Sequence, residues 1–207
     1  MTSARPRAAA LVVTAVAVGW TVAACAGTAP DAPAGSSAAV SAARASEADV
    51  TFAQMMIVHH QGAVDMAALA PGRAGSQDVA DLAARIEAAQ QPEIDTMTGW
   101  LQEWGEPPLD DDGAMPGMDH GDMAMDGVGG MASMADMSGL EDASGADFDR
   151  LFLELMIVHH RGAVTMARTE VEHGRDPDAV ALARKVITDQ TGEIDEMERM
   201  LAASDGR

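Results

Sequence analysis

The chain has one cysteine, Cys25, no tyrosine, three phenylalanines and three tryptophans in 207 residues. A lone cysteine cannot close an intramolecular disulfide. If Cys25 is engaged elsewhere, no thiolate metal site can form either. Any metal ligand must then be His, Met, Asp or Glu. With so few aromatics, a core must be built from Ala, Leu, Ile, Val and Met, which favours helices over sheets. Positive charge is also scarce. The 13 Lys and Arg stand against 33 Asp and Glu, a net charge of −20. Phosphate binding needs Lys and Arg clusters, so nucleic acid is not an expected partner. The acidity would attract metal cations, although a plain solubilising surface accounts for it equally well.

What the chain does have is a repeat. Met56-Ile57-Val58-His59-His60 continues as Gln61-Gly62-Ala63-Val64-Asp65-Met66-Ala67. At an offset of 100 residues, Met156-Ile157-Val158-His159-His160 continues as Arg161-Gly162-Ala163-Val164-Thr165-Met166-Ala167. At the same offset, Gln90, Glu93, Ile94, Asp95, Met97 and Leu101 meet Gln190, Glu193, Ile194, Asp195, Met197 and Leu201. Each copy therefore has an HH segment and a Q-x-x-E-I-D-x-M segment, and the fixed offset points to duplication.

Arg5 and Arg7 precede an apolar run from Ala8 to Ala24, the layout of a secretory signal. Val22-Ala23-Ala24-Cys25 resembles the lipobox of bacterial lipoproteins, which implies cleavage before Cys25 and lipid on its thiol. An ordinary signal peptide or a spanning anchor are the alternatives. The run is shorter than the ~20 residues a spanning helix needs. Residues 1–24 are thus read as a lipoprotein signal, and 25–45, rich in Ala, Gly, Ser and Pro, as a flexible tether.

The remainder reads as four helices in two hairpins. Ser46 with Asp49 offers an N-cap, and Pro71-Gly72 ends the first helical run. Ser76 caps a second helix, about 77–104, which Gly105 and Pro107 stop. A third spans about 146–173, and Asp176-Pro177 starts a fourth. The short connections make 46–105 and 146–207 antiparallel hairpins, and two hairpins pack as an all-α four-helix bundle. Pro92 resists this scheme, since proline inside a helix costs roughly 3 kcal/mol. Its counterpart is Gly192, so a kink or local widening is expected before Glu93 and Glu193. Residues 106–145 read as a long acidic loop. Seven of the chain's 16 methionines fall in 115–137, where Gly, Asp and Pro oppose a stable helix, so these are not expected to be core.

At about 100° per residue, His59, His60, Ala63, Ala67 and the methionines Met56 and Met66 share one helical face. Gln61, Asp65 and Gly62 point away. His159, His160, Met156 and Met166 repeat the pattern, and Gln90, Glu93 and Met97 share a face of the second helix, as do Gln190, Glu193 and Met197. If these faces close inward, His, Met, Gln and Glu meet in one interior. That suits a metal site, with Gln90, Glu93, Met97, Gln190, Glu193 and Met197 as supporting groups or alternative ligands. It suits equally a buried polar network that fixes helix pairing, and a Met stripe can simply be core. In the loop, Met115, Met118, His120, Met123 and Met125 can gather around one soft ion, Cu(I) or by the same logic Ag(I). Met131, Met134 and Met137, three residues apart, offer another cluster.

The HHxGAxxMA and QxxEIxxM segments resemble the domain of unknown function 305 family over roughly 47–104 and 146–203. The resemblance implies a ferritin-like fold and, from some members, periplasmic copper binding and resistance. It implicates His59, His60, Met56 and Met66, with His159, His160, Met156 and Met166. MPGMDHGDM, from Met115, is also similar to Met/His segments of bacterial copper-resistance proteins. The expectation is an extracytoplasmic protein anchored to the cell membrane through lipidated Cys25. It would bind copper as Cu(I) for sequestration, buffering or handover to a transporter or chaperone, without turnover. Ligating His must be neutral, so copper on the helices should weaken near about pH 5 while thioether-bound copper persists. The rivals are a structural or partner-binding bundle and a ferritin-like di-iron oxidoreductase. The latter uses paired E-x-x-H motifs. Here only Glu170 with His173 has that spacing, and the first repeat has Ala70 and Arg73 instead.

Overall fold

Four helix starts and stops are set by the residues the sequence offers for them. In the computed structural model, which describes residues 45–109 and 129–205, Ser46 opens α1 (Glu47–Ala68). Its hydroxyl accepts from the Asp49 backbone N–H, and the Asp49 carboxylate accepts from the Ser46 N–H, closing a capping box. The Ser76 hydroxyl accepts from the Val79 N–H to start α2 (Gln77–Trp104). Gly105 ends it with φ 77°, the left-handed conformation that favours glycine. Pro92 lies within α2, and the α-helix continues on either side of it. Pro92 and Gly192 are both exposed, so the lost hydrogen bond falls on the solvent side, where water can serve the freed carbonyl.

The segment between the hairpins is not all loop. A short helix, α3 (Met134–Asp142), follows Ser133, whose side chain forms a second capping box with Asp136. Leu140 is fully buried against the bundle and anchors it. The local cap and one apolar anchor outweigh the Gly and Asp content that argued for loop. Then come α4 (Ala146–His173) and α5 (Pro177–Asp205). The Asp176 carboxylate accepts from the backbone N–H groups of Asp178 and Ala179, at 2.9 and 3.2 Å, and caps α5.

α1 pairs with α2 and α4 with α5, and the two hairpins join through α1 against α4. The join is antiparallel and tied at both ends. Asp49, at the start of α1, accepts from the backbone N–H groups of Arg175 and Asp176 beyond the end of α4, each at 2.9 Å. At the other end the Gly145 N–H donates to the Arg73 carbonyl at 2.8 Å. Arg85–Glu196 and Lys185–Glu93 ion pairs, 2.6 and 2.9 Å, link α2 to α5 across the outside. The fold is therefore the expected all-α four-helix bundle, with α3 packed on its side.

The core falls into two apolar clusters. One contains Ala63, Met66 and Ala67 of α1 with Phe148, Phe152 and Met156 of α4 and Met197 of α5. The other contains Phe52 and Met56 of α1 with Met97 and Leu101 of α2 and Ala163 and Ala167 of α4. Each large side chain buried here contributes about 1.5–3 kcal/mol. In both α1 and α4 the histidine pair lies between the stretches that feed these two clusters.

Candidate metal centre

Antiparallel crossing of α1 and α4 brings the two copies of the HH segment face to face. His59 and His159 have ring centroids 3.7 Å apart, tilted by 40°. All four histidines of the two pairs are 0% exposed. Neither ring nitrogen of His59, nor either of His159, has a hydrogen-bond partner among the described residues. The Gly129 carbonyl faces His59 and would take a hydrogen bond from its protonated ring, but no bond of ordinary geometry joins the two.

Burial, then the charge of His60, pushes the pKa of His59 down to about 3. Burial, then the neighbouring histidines, pushes His159 well below its ordinary range. Both rings are neutral at physiological pH, the form that donates a lone pair to a metal.

The second histidine of each pair is already oriented. His60 Nε2 lies 2.8 Å from the Glu93 carboxylate, and His160 Nε2 lies 2.8 Å from Glu193. An ionised carboxylate only accepts, so Nε2 carries the proton and Nδ1 presents its lone pair. Nδ1 of His60 and of His160 has no hydrogen-bond partner among the described residues. Burial works against ionisation of Glu93, but hydrogen bonds from His60 and Lys185 prevail and hold its pKa below the usual range. A carboxylate behind a ring N–H is the arrangement that fixes tautomer and raises ligand basicity at metal centres.

The other expected residues fall into place unevenly. Met56 and Met156 are fully buried one turn before the histidines, each in a different apolar cluster, and so flank the histidine layer on opposite sides. Met66, Met97 and Met197 are likewise fully buried and pack as core. Gln90 and Gln190 are buried, with the Gln90 amide and the Gln190 carbonyl oxygen lacking partners among the described residues. Met166 is half-buried and lines an open cavity of about 490 Å³ with Met55, Gly129 and Glu170. Met115, Met118, His120, Met123, Met125 and Cys25 lie outside the described residues, as do the signal and most of the tether. Among the described residues no three His, Cys, Asp or Glu side chains converge as a metal-holding group. A site here must therefore draw on thioethers or on a shift of the rings. No described helix is long and apolar enough to cross a membrane.

Glu170 has surroundings that its spacing to His173 did not reveal. Glu170 is 1% exposed, and burial, then the adjacent Asp49 and Asp176, pushes its pKa up to about 8. The Glu170 carboxyl neighbours Asp49, but no hydrogen bond of ordinary geometry joins the two. His173, its E-x-x-H companion, is exposed, so the two do not converge. The spacing signalled Glu170 but gave no sign of Asp49, which comes from the far end of the α1–α4 pair.

The family model described as domain of unknown function (DUF305) matches residues 49–201. Among solved structures, the chain is similar to a candidate secreted DUF305 protein from Streptomyces coelicolor. The identity is 34%, coverage is 76% of this chain and 92% of that one, and the TM-score is 0.67. It is similar to a DUF305 fragment from Deinococcus radiodurans, with 34% identity, 77% and 98% coverage, and a TM-score of 0.66. It is also similar to CopM in its Cu(II)-bound form, with 32% identity, 75% and 96% coverage, and a TM-score of 0.62. CopM has been solved in Cu(I)-bound and silver-bound forms too. No curated protein matches the chain.

Proposed function

The chain belongs to the DUF305 family, and from that premise we propose that it is an extracytoplasmic copper-binding protein. It takes up Cu(I) for sequestration, buffering or handover, without turnover, and Ag(I) serves as a surrogate. The observation that carries this reading is the pair His59 and His159, fully buried in ring contact with four unpartnered nitrogens. A buried polar group left unsatisfied costs about 1–3 kcal/mol. Each neutral ring offers a soft cation one lone pair, and imidazole and thioether are the donors such a cation prefers. The relationship to CopM, solved with copper and silver, supports the same cargo.

The roles divide by position. His59 and His159 supply the central nitrogens. His60 and His160, oriented by Glu93 and Glu193, supply Nδ1. Met56 and Met156 flank the layer, with Met66 and Met166 a further turn or two away along the helices. Met115, Met118, His120, Met123 and Met125 form a separate thioether-rich station that loads ions for the helices. Lipid on Cys25 would hold that station beside a membrane transporter or chaperone, and the secreted character ascribed to the Streptomyces relative agrees with an extracytoplasmic location.

One observation favours a second reading, a structural bundle. The His60–Glu93 and His160–Glu193 pairs already satisfy one nitrogen of each ring and tie each hairpin together. Competition of the soluble domain against a Cu(I) chelator separates the two. Copper binding that falls in stoichiometry when 115–125 is deleted supports the copper reading with both stations. No retention of Cu(I) by the intact domain supports the structural bundle.

A further inference from the structure

The methionines at 131, 134 and 137 part company in the structure. Met134 is 92% exposed on α3, and Met137 packs against the core. Met131 sits instead on a strap of chain that includes Gly129 and Gly130 and lies across the α1–α4 crossing. Two glycines receive the strap. Where a Gly62 side chain would begin, the Met131 Sδ is 3.5 Å away, its methyl 3.2 Å and the His159 Nε2 3.4 Å. Where a Gly162 side chain would begin, the Gly129 carbonyl oxygen already occupies the space, and the His59 Nε2 is 3.0 Å away. Each first histidine thus reaches across to the glycine of the other repeat, and the strap closes over both. Only glycine at these two positions admits a chain so near the helices.

We infer that Met131 is a metal ligand that joins His59 and His159, completing a mixed thioether–imidazole site for a soft monovalent cation beneath the strap. This rests on the copper reading and adds to it a residue from outside the duplicated helices. The His159 Nε2 and the Met131 sulfur lie 3.4 and 3.5 Å from one point beside Gly62, and the His59 ring is in contact with that of His159 at 3.7 Å between centroids. All three donors are neutral, so a monovalent ion is held without burying anionic ligands, and the Gly129 carbonyl faces His59. Thioether and imidazole together suit Cu(I) and Ag(I). The deep methionines Met56 and Met156 lie within the apolar clusters, whereas Met131 lies beside ring nitrogens.

The test is methyl-carbon NMR of the full chain with labelled methionine, titrated with Ag(I), the Met131 signal being assigned by its loss in Met131→Leu. The Met131 methyl is expected to shift on Ag(I) addition, and Met131→Leu to weaken Cu(I) retention against a chelator about tenfold at the histidine site. Gly62→Ala places a methyl 3.2 Å from the end of the Met131 side chain. It should keep the helical content while shrinking the Met131 shift. A Met131 signal that stays still at saturating Ag(I), while other methionine signals move, overturns this inference and leaves the copper reading standing. If no methionine signal moves and the chain retains no Cu(I) against the chelator, both fail together.

Discussion

His59 and His159 stand 100 positions apart in the chain, yet their rings meet at 3.7 Å between centroids, at the crossing of α1 and α4. The contact makes one centre of two repeats. Antiparallel docking of the hairpins brings both histidine pairs into one layer, with Glu93 and Glu193 hydrogen-bonded to His60 and His160.

Acid should loosen this centre later than ordinary histidine chemistry suggests. An unperturbed imidazole titrates at about 6.5, which led to an expected loss of helix-bound copper near about pH 5. Burial holds His59 at about 3 and His159 well below its ordinary range, so protons compete with copper only in stronger acid. Copper at the histidine layer should persist at pH 5, as should copper on thioethers. The apo protein pays for this in stability. Below about pH 6.5 the unfolded chain binds protons that the buried pair does not, so stability falls as pH drops toward 3. Equilibrium dialysis of copper and urea unfolding, both from pH 7 to 4, check the two statements. Copper lost with a midpoint near 6.5 would contradict the first.

Glu93→Ala should act on both stability and affinity. It strips the acceptor from His60 Nε2, leaving that buried N–H unsatisfied at a cost of about 1–3 kcal/mol. It also frees the His60 tautomer, and loss of such a partner typically lowers metal affinity about 10–100-fold. Glu93→Gln, which retains an acceptor oxygen, should recover most of the stability. Lys185 keeps Asp189 in either variant. Equal effects of Ala and Gln on thermal unfolding and copper competition would count against the orienting role.

Glu170 predicts a pH dependence of opposite sign. Its pKa rises from 4.5 to about 8 on folding, so between those values the folded state holds a proton that the unfolded state releases. This contribution to stability is present below about pH 4.5 and lost as pH rises through about 8. Glu170→Gln keeps the shape and cannot ionise. It should be more stable than the parent at pH 8.5 and close to it at pH 5, by urea unfolding at both values. A constant difference between the two pH values would contradict the buried acid pair.

The local devices were legible and the long-range meetings were not. Ser46, Ser76, Gly105 and Asp176 act within a turn of themselves, so each cap could be read from its neighbours. The inward faces of α1 and α4 followed from helical period alone. Nothing periodic told that His59 would meet His159, or that Asp49 would sit against Glu170, because those contacts depend on how two hairpins dock. The strap was hidden for another reason. Gly62 and Gly162 lie off the histidine face on a helical wheel and read as solvent positions, yet they are where 129–131 comes down. α3 was missed because composition over a long window concealed a local capping box and one anchoring Leu140.

Gly162→Ala isolates the strap. Within a helix, Gly to Ala should stabilise by about 1 kcal/mol. Here the new methyl would occupy the space of the Gly129 carbonyl, so 129–131 must lift away. Faster amide exchange at 130–131 with an unchanged helix signal is the expected result. Unchanged exchange would mean that the strap does not rest on Gly162.

Copper binding by the buried histidine layer is open to direct measurement. Copper K-edge absorption of the Cu(I)-loaded domain, beside a His59→Ala/His159→Ala variant of verified helical content, tests it most directly. Imidazole nitrogen scattering together with sulfur is expected in the parent, and loss of the imidazole signal with at least one fewer bound copper in the variant. The same spectrum and the same copper count in both proteins would contradict it.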